Sequence, residues 1–245
     1  MAIGNNSNKK KKIVQRAKPD PFLRKEWYDV QAPTLFKKSD MGQTVVTKTS
    51  GMRVSTEVVK GRIVKANLGD LAENETQNGT SNFNFKIVSC ADSKCLTDFA
   101  GYQVVRHYEQ SLFKKGCSHI SCTQDVTTKD GYVLRVFATG FTAKSKNIKK
   151  SNCYAKTSEL NLVRKAMLET MHSSIKDLDC HKLMTGLANK SINTSIMEAA
   201  KKNFAVRDIM ITRVKVISTP KYNVERINKL HSGTSTEFGK PIEVK

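Results

Sequence analysis

Residues 125–139 read DVTTKDGYVLRVFAT, and this stretch decides the fold class. Asp130-Gly131 stands between two strand-like runs, 125–128 and 132–139. An Asp-Gly pair in that position predicts a β-hairpin, because glycine takes a positive φ without a Cβ clash. Residues 132–141 are the longest strand-like run in the chain, and Arg135 interrupts them. Nothing therefore approaches the ~18 consecutive apolar residues of a membrane-crossing helix.

Upstream of the hairpin, 44–49, 62–68, 83–88 and, more loosely, 95–105 also read as strands. Alternation is clearest at Phe83, Phe85 and Ile87, with Asn84 and Lys86 on the opposite face. Short strands with such turns suggest a small antiparallel barrel or sandwich. Downstream of about residue 150 the period becomes helical. Leu160, Val163, Met167, Met171 and Ile175 form one apolar stripe from which Arg164 and Lys165 point away. A second helix turns Ile192, Ile196, Ala199 and Ala200 inward and carries Lys201 and Lys202 near its C-terminal end, where cations complement the helix dipole. Residues 206–218 return to β character, with Met210, Thr212, Val214 and Val216 facing opposite Ile209, Ile211, Arg213 and Lys215, and Pro220 ends the run. The expected architecture is α+β. A β-rich region (40–142) is followed by helices (153–204) and a returning strand (206–218), with a disordered basic arm at 1–18 and a patternless polar tail at 221–245. Trp27-Tyr28 is read as an anchor holding the N-terminal extension on the core, with base stacking as the alternative.

The 245 residues carry 42 Lys and Arg against 22 Asp and Glu, a formal charge of +20. Such an excess repels itself in a compact chain and calls for a polyanionic partner. The charge is polarised: residues 1–38 hold ten cations and three acids, whereas 67–99 hold two and five. The N-terminus lacks a secretory core, and Ala2 stands where myristoylation needs glycine, so the chain reads as cytosolic. Its six cysteines then read as reduced thiols rather than a disulfide framework.

No Walker A loop, Gly-x-Gly-x-x-Gly, His-Glu-x-x-His or Gly-x-Ser-x-Gly elbow is present. No enzyme and no cofactor is indicated. Cys90, Cys95, Cys117 and Cys122 with His119 offer thiolates for zinc, but the two-residue loops that position such pairs are missing, so ordinary buried cysteines and no metal are expected. Cys180 and His181 beside His172 likewise read as a plain helix surface.

The informative feature is clustered cation. Lys9, Lys10, Lys11 and Lys12 form one group, Lys144, Lys146, Lys149 and Lys150 a second, and Arg213, Lys215 and Lys221 a third, to which the helix adds Arg164 and Lys165. These are the candidate RNA-binding residues. Each phosphate that a cation neutralises releases condensed counterions, so binding should weaken steeply with salt. Two alternative readings of this charge are an RNA-modifying enzyme and a sequence-independent nucleic-acid-binding protein.

The residues also carry a resemblance. Asp20-Pro21-Phe22, Lys25-Glu26-Trp27-Tyr28-Asp29-Val30 and Ala32-Pro33 resemble the N-terminal signature of the small-subunit ribosomal protein family called S-three-a, or S-one-e. So do Lys60-Gly61-Arg62, Leu68-Gly69-Asp70-Leu71, and Lys94-Cys95-Leu96-Thr97-Asp98-Phe99 before Gly101. Thr128-Lys129-Asp130-Gly131-Tyr132 with Leu134-Arg135, and Gly140-Phe141-Thr142, match its central hairpin, and order and spacing agree from about 19 to 232. The resemblance implies a barrel-like antiparallel β region and a structural role in translation. It places the chain on the small-subunit platform near the messenger RNA exit, against small-subunit ribosomal RNA, neighbouring platform proteins, mRNA and initiation factor three. It further implies a cytoplasmic ribosomal location after passage through the nucleus or nucleolus for assembly. By position, the segment after Gly140-Phe141-Thr142 corresponds to the family's basic RNA-facing loop, which makes Lys144, Lys146, Lys149 and Lys150 the first choice for RNA contacts. The stretch 73–82 looks longer than its counterpart, and the tail ends where many relatives continue into an acidic extension.

Overall fold

The computed structural model describes residues 19–72, 79–145 and 149–232. The expected hairpin forms β6 (His119–Thr127) and β7 (Val133–Thr142), paired in register from His119 opposite Phe141 to Thr127 opposite Val133. Gly131 takes φ +84° at the turn, and Asp130 adds a second role there. Its carboxylate accepts the Cys180 N–H at 2.8 Å and so caps α5 (Cys180–Ala188), whose own N-cap residue makes no side-chain bond. One loop thus closes the hairpin and starts a helix 50 residues away.

A similar turn joins β4 (Ser81–Ala91) to β5 (Lys94–Val104). Asp92 and Ser93 adopt φ +46° and +70°, the two left-handed positions that let a two-residue hairpin follow the strand twist. The turn sets Cys90 opposite Cys95, and the two are disulfide-bonded. This corrects the expectation of six reduced thiols. Across an antiparallel ladder their Cα atoms lie 4.1 Å apart, which spacing along the chain does not reveal. The other four cysteines are free.

The eight strands form one open sheet, ordered β2 (Asp40–Thr47), β1 (Lys25–Gln31), β5, β8 (Val206–Ser218), β7, β6. On its other edge β5 holds β4, which in turn holds β3 (Ile63–Asn67). β1 joins β5 in parallel at Lys94–Leu96, and β8 joins it antiparallel at Gly101–Gln103, so two ladders diverge from one edge of one strand. That fork explains why the expected barrel is an open sheet: among the described residues β3 pairs only with β4, and β6 only with β7.

One face of the sheet is buried. Phe83, Phe85, Phe99 and Tyr102 meet Phe36 in a cluster of edge-on and stacked rings 5.2–6.5 Å apart. Against the β6–β7 end lies α4 (Thr157–Lys176). Its Val163, Met167, Met171 and Ile175 are buried as the periodicity predicts, in one cluster with Ile120, Val126, Leu134 and Val136. α6 (Ser191–Lys201) buries Ile192, Ile196 and Ala200 and packs along β8. The short helices α1 (Ser55–Val59), α2 (Leu68–Leu71) and α3 (Arg106–Ser111) connect strands.

Three expectations change. β8 has the expected bounds, but Ile209, Met210, Ile211 and Thr212 are all buried, not alternately so. Its ladder with β7 shifts register between Phe137 and Ala138, and Asp208 takes φ +51°, so the strand loses strict period two where Ile209 packs over Gly140. The N-terminal extension is itself a strand: in β1, Tyr28 is buried with its hydroxyl 2.7 Å from Ser55 Oγ, while Trp27 is 52% exposed. The pair is divided between the two faces by the pleat. Residues 221–245 were expected to lack pattern, yet α7 (Val224–Ser232) forms and docks. Ile227 is buried, and the rest of the anchorage is polar: Leu230 O accepts from Thr34 N and Oγ1, and Arg226 Nη2 donates to Asp98 Oδ2 at 2.8 Å. His231 Nε2 lies 3.2 Å from Thr97 N and 2.8 Å from Thr97 O. Val224, Ile227 and Leu230 fall three apart and give α7 a short apolar stripe, of which Ile227 is the buried member.

Candidate nucleic-acid interface

Directly opposed residues of a sheet project to the same side, so the register alone assigns the two faces. One continuous row runs Asp125, Arg135, Lys215, Gly101, Asn84, Lys65 across β6, β7, β8, β5, β4 and β3. The row two residues on runs Thr123, Phe137, Arg213, Gln103, Asn82, Asn67. Between them Val136, Val214, Tyr102 and Phe83 point the other way, into the core. The pleat therefore sorts the chain into an apolar inner face and an outer face bearing Arg135, Lys215, Arg213 and Lys65, with Asp125 the single acid in these two rows. All four cations are exposed.

Arg135 is tied to Asp125 by a two-pronged ion pair, both contacts 2.7 Å, and the guanidinium holds the Asp125 carboxyl below the usual carboxylate range. This uses the charge of Arg135 and leaves Arg213 and Lys215 as the net positive centre of the face. Lys215 Nζ sits 5.6 Å from the centre of the half-buried Phe137 ring. An aromatic ring beside two unneutralised cations offers a polynucleotide both a phosphate contact and a surface on which a base can stack.

The remaining candidates are spread along the same ladder. Lys144, Lys149 and Lys150 are exposed beyond the C-terminal end of β7. Thr142 stands seven positions from Arg135, so the strand end that leads to this group lies roughly 23 Å from Lys215, at ~3.3 Å per residue. Lys221, also exposed, lies past Pro220 at the opposite end. Arg213 and Lys215 are thus neighbours, whereas Lys221, placed with them by sequence, is not beside them. Lys165 is exposed on α4, in the layer behind the sheet, and Arg164 is half-buried with Nη1 donating to Asn161 Oδ1 at 2.8 Å. Lys9, Lys10, Lys11, Lys12 and Lys146 lie outside the described residues.

Arg135, Phe137 and Lys65 were not picked out from the sequence, although period-two alternation through residues 132–139 carried the signal for the first two. What the sequence does not hold is the pairing order, which sets β3 and β8 on one surface. No three His, Cys, Asp or Glu side chains gather into a metal-sized group among the described residues. The four cysteines considered for zinc are divided, since Cys90 bonds Cys95, Cys117 adjoins Cys153, and Cys122 is buried on the inner face with its thiol pushed up to about 11 by burial. No helix of the described residues is long and apolar enough to cross a membrane.

A one-sided sheet with helices behind it and unneutralised cations in front defines a basic α+β protein with a cationic outer face. Comparison with known proteins specifies it. Residues 13–220 match the model of the Ribosomal S3Ae family, and the chain belongs to that family, one of ribosomal proteins and not of enzymes. The chain is 35% identical to the small ribosomal subunit protein eS1 of Theileria parva, over all of this chain and 94% of that one. Identity to the eS1 proteins of Plasmodium yoelii yoelii and Brugia malayi is also 35%, covering 99% and 96% of this chain and 93% and 91% of theirs.

Proposed function

We propose that the protein is a structural constituent of the small ribosomal subunit and binds small-subunit ribosomal RNA through its outer sheet face and the basic segment after β7. The observation that carries this reading is identity along the whole chain to proteins named as small ribosomal subunit protein eS1. The charge of +20 and the concentration of unpaired cation on one face are what such a role requires. Arg213, Lys215, Lys144, Lys149 and Lys150 act as phosphate contacts that position the chain without reading sequence, joined by Lys146, Lys221, Arg164, Lys165 and the arm lysines Lys9 to Lys12. Following the family resemblance, the protein sits on the platform near the mRNA exit beside neighbouring platform proteins and supports initiation through contact with initiation factor three. It works in cytoplasmic ribosomes after nuclear or nucleolar assembly.

Sucrose-gradient fractionation of lysate tests the reading. The chain should travel stoichiometrically with small subunits through moderate salt and be released only at high salt. Sedimentation at the top of the gradient in every salt would overturn it.

A further inference from the structure

The free cysteines are not equivalent. Cys122 and Cys180 are buried, and burial raises both thiols, so neither forms a thiolate readily. Burial raises the Cys153 thiol as well, and what sets Cys117 and Cys153 apart is their placement. They are 36 residues apart in sequence, yet their sulfurs lie 3.4 Å from each other. A parallel β-bridge pairs the two residues, and Cys153 N donates to Gly116 O at 2.8 Å. Bridged residues lie about 5 Å apart in Cα, within the ~4.4–6.8 Å that a disulfide spans, so bonding needs ~1.4 Å of sulfur movement and no displacement of the backbone.

The surroundings give the two sulfurs different roles. Cys117 is half-buried and accepts two hydrogen bonds, from Arg207 Nη2 at 3.7 Å and from Cys153 Sγ at 3.4 Å. Cys153 is buried, and its Sγ also lies 3.3 Å from Gly116 O and 3.6 Å from Thr142 O, so its single S–H proton has these two carbonyls and Cys117 Sγ as alternative acceptors. One sulfur is reachable and faces a guanidinium; the other is shielded and holds its proton among carbonyls.

We infer that Cys117 and Cys153 form a dithiol oxidation site whose substrate class is hydroperoxides, with Cys117 the attacking sulfur and Cys153 the resolving one. In the first step Cys117 thiolate attacks the terminal peroxide oxygen and the O–O bond breaks. The alkoxide or hydroxide leaves and takes up a proton, and Cys117 becomes a sulfenic acid. In the second, Cys153 sulfur attacks Cys117 sulfur, the S–O bond breaks, and the departing hydroxide takes the Cys153 proton as water. Two thiols and one hydroperoxide give one disulfide, one alcohol or water, and one water; the sulfurs lose two electrons and the peroxide gains them. The new bond ties the N-terminal approach to β6 to the approach to α4. It closes a ring that contains the hairpin and the segment bearing Lys144, Lys149 and Lys150. The covalent chemistry does not depend on what that segment binds.

The test uses the full chain, purified under reducing conditions, freed of reductant and exposed to hydrogen peroxide. Samples are blocked with N-ethylmaleimide at intervals and mapped by non-reducing peptide mass spectrometry. The expected product is a peptide pair joined through Cys117 and Cys153, formed at least tenfold faster than any oxidation of Cys122 or Cys180. In Cys153→Ser the reaction should stop at a dimedone-trappable Cys117 sulfenic acid, and in Cys117→Ser the rate at Cys153 should fall at least tenfold. Oxidation of Cys117 to sulfinic or sulfonic acid without the joined pair overturns the inference. So does oxidation of Cys122 or Cys180 at an equal rate. The joined-peptide measurement on the unsubstituted chain decides the matter even if a serine variant folds poorly.

Discussion

Replacing Arg226 by Met removes the charge that faces Asp98 and leaves the shape of the side chain largely intact. The Asp98 side chain is 9% exposed and that of Arg226 25%, so the pair lies in a region where water cannot compensate for a lost partner. Asp98 keeps the Tyr132 hydroxyl at 2.9 and 2.8 Å on its two oxygens and the Phe99 N–H at 2.8 Å. Breaking a buried pair from one side costs ~3–5 kcal/mol, and the retained donors put this case near the lower end, at about 3 kcal/mol. The pair itself is worth less than that. Arg226 Nε and Nη1 are buried without hydrogen-bond partners, over the Tyr132 ring. Each such group offsets part of the gain. The double variant Arg226→Met with Asp98→Asn strands no charge and still gives Tyr132 an acceptor, so it should cost only about 1 kcal/mol. In equilibrium urea unfolding, with a slope of ~3 kcal/mol/M, the midpoint should fall by about 1 M in the single variant and about a third of that in the double. Hydrogen exchange should show where the loss begins, with amides of 224–232 opening first. A single variant within about 0.5 kcal/mol of the parent, or a double variant as damaged as the single, would refute the reasoning.

His231 is held below its ordinary pKa by burial, against the opposing bonds to Thr97 and the field of Asp98. Its neutral form is the docked one, so its stabilisation is fully present above about pH 6.5 and is lost as pH falls through the lowered folded value. Between pH 7.5 and 5, thermal stability should fall less in His231→Gln than in the parent, and equal falls would contradict this. Gly101→Ala places a Cβ 2.8 Å from the backbone oxygen of Val214, which can yield only by moving a strand. A cost of about 2 kcal/mol should lower the melting temperature by ~4–8 °C in calorimetry, and an unchanged transition would mean the β5–β8 contact is loose. Arg213→Ala with Lys215→Ala should reduce the slope of log affinity against log salt by about two for a small-subunit ribosomal RNA fragment, whereas Lys165→Ala should reduce it by about one at most. Equal slopes for the double variant and the parent would remove the outer face from the interface.

Residues that are periodic over a long segment were legible from the chain alone. The stripe Val163, Met167, Met171, Ile175 formed as read, because it repeats its burial pattern over several turns, and the run 206–218 kept its bounds as a strand but not its alternation. Residues whose partners are distant were not legible. Asp130 reads as a turn residue, yet it also caps a helix 50 positions on. Cys90 and Cys117 look alike by spacing, yet one meets the cysteine across its own hairpin and the other a cysteine beyond the next two strands. The apolar stripe of α7, Val224, Ile227 and Leu230, is only three residues long with Val224 exposed, and Asp98, Thr97 and Thr34 hold the helix beside it.

By itself the sequence determined the α+β class, the excess of positive charge, the central hairpin and the family, since composition, glycine turn chemistry and local period act within a few residues of chain. The tertiary structure decided which cations act together. Lys65 and Lys215 come from strands 150 positions apart, and only the pairing of β3, β4, β5 and β8 lays them in one row. Lys221, six residues after Lys215, has passed beyond Pro220 and off the sheet. Strand register is a non-local property, fixed by burying one face of every strand in the same core, and the charge on the opposite face takes its arrangement from that burial.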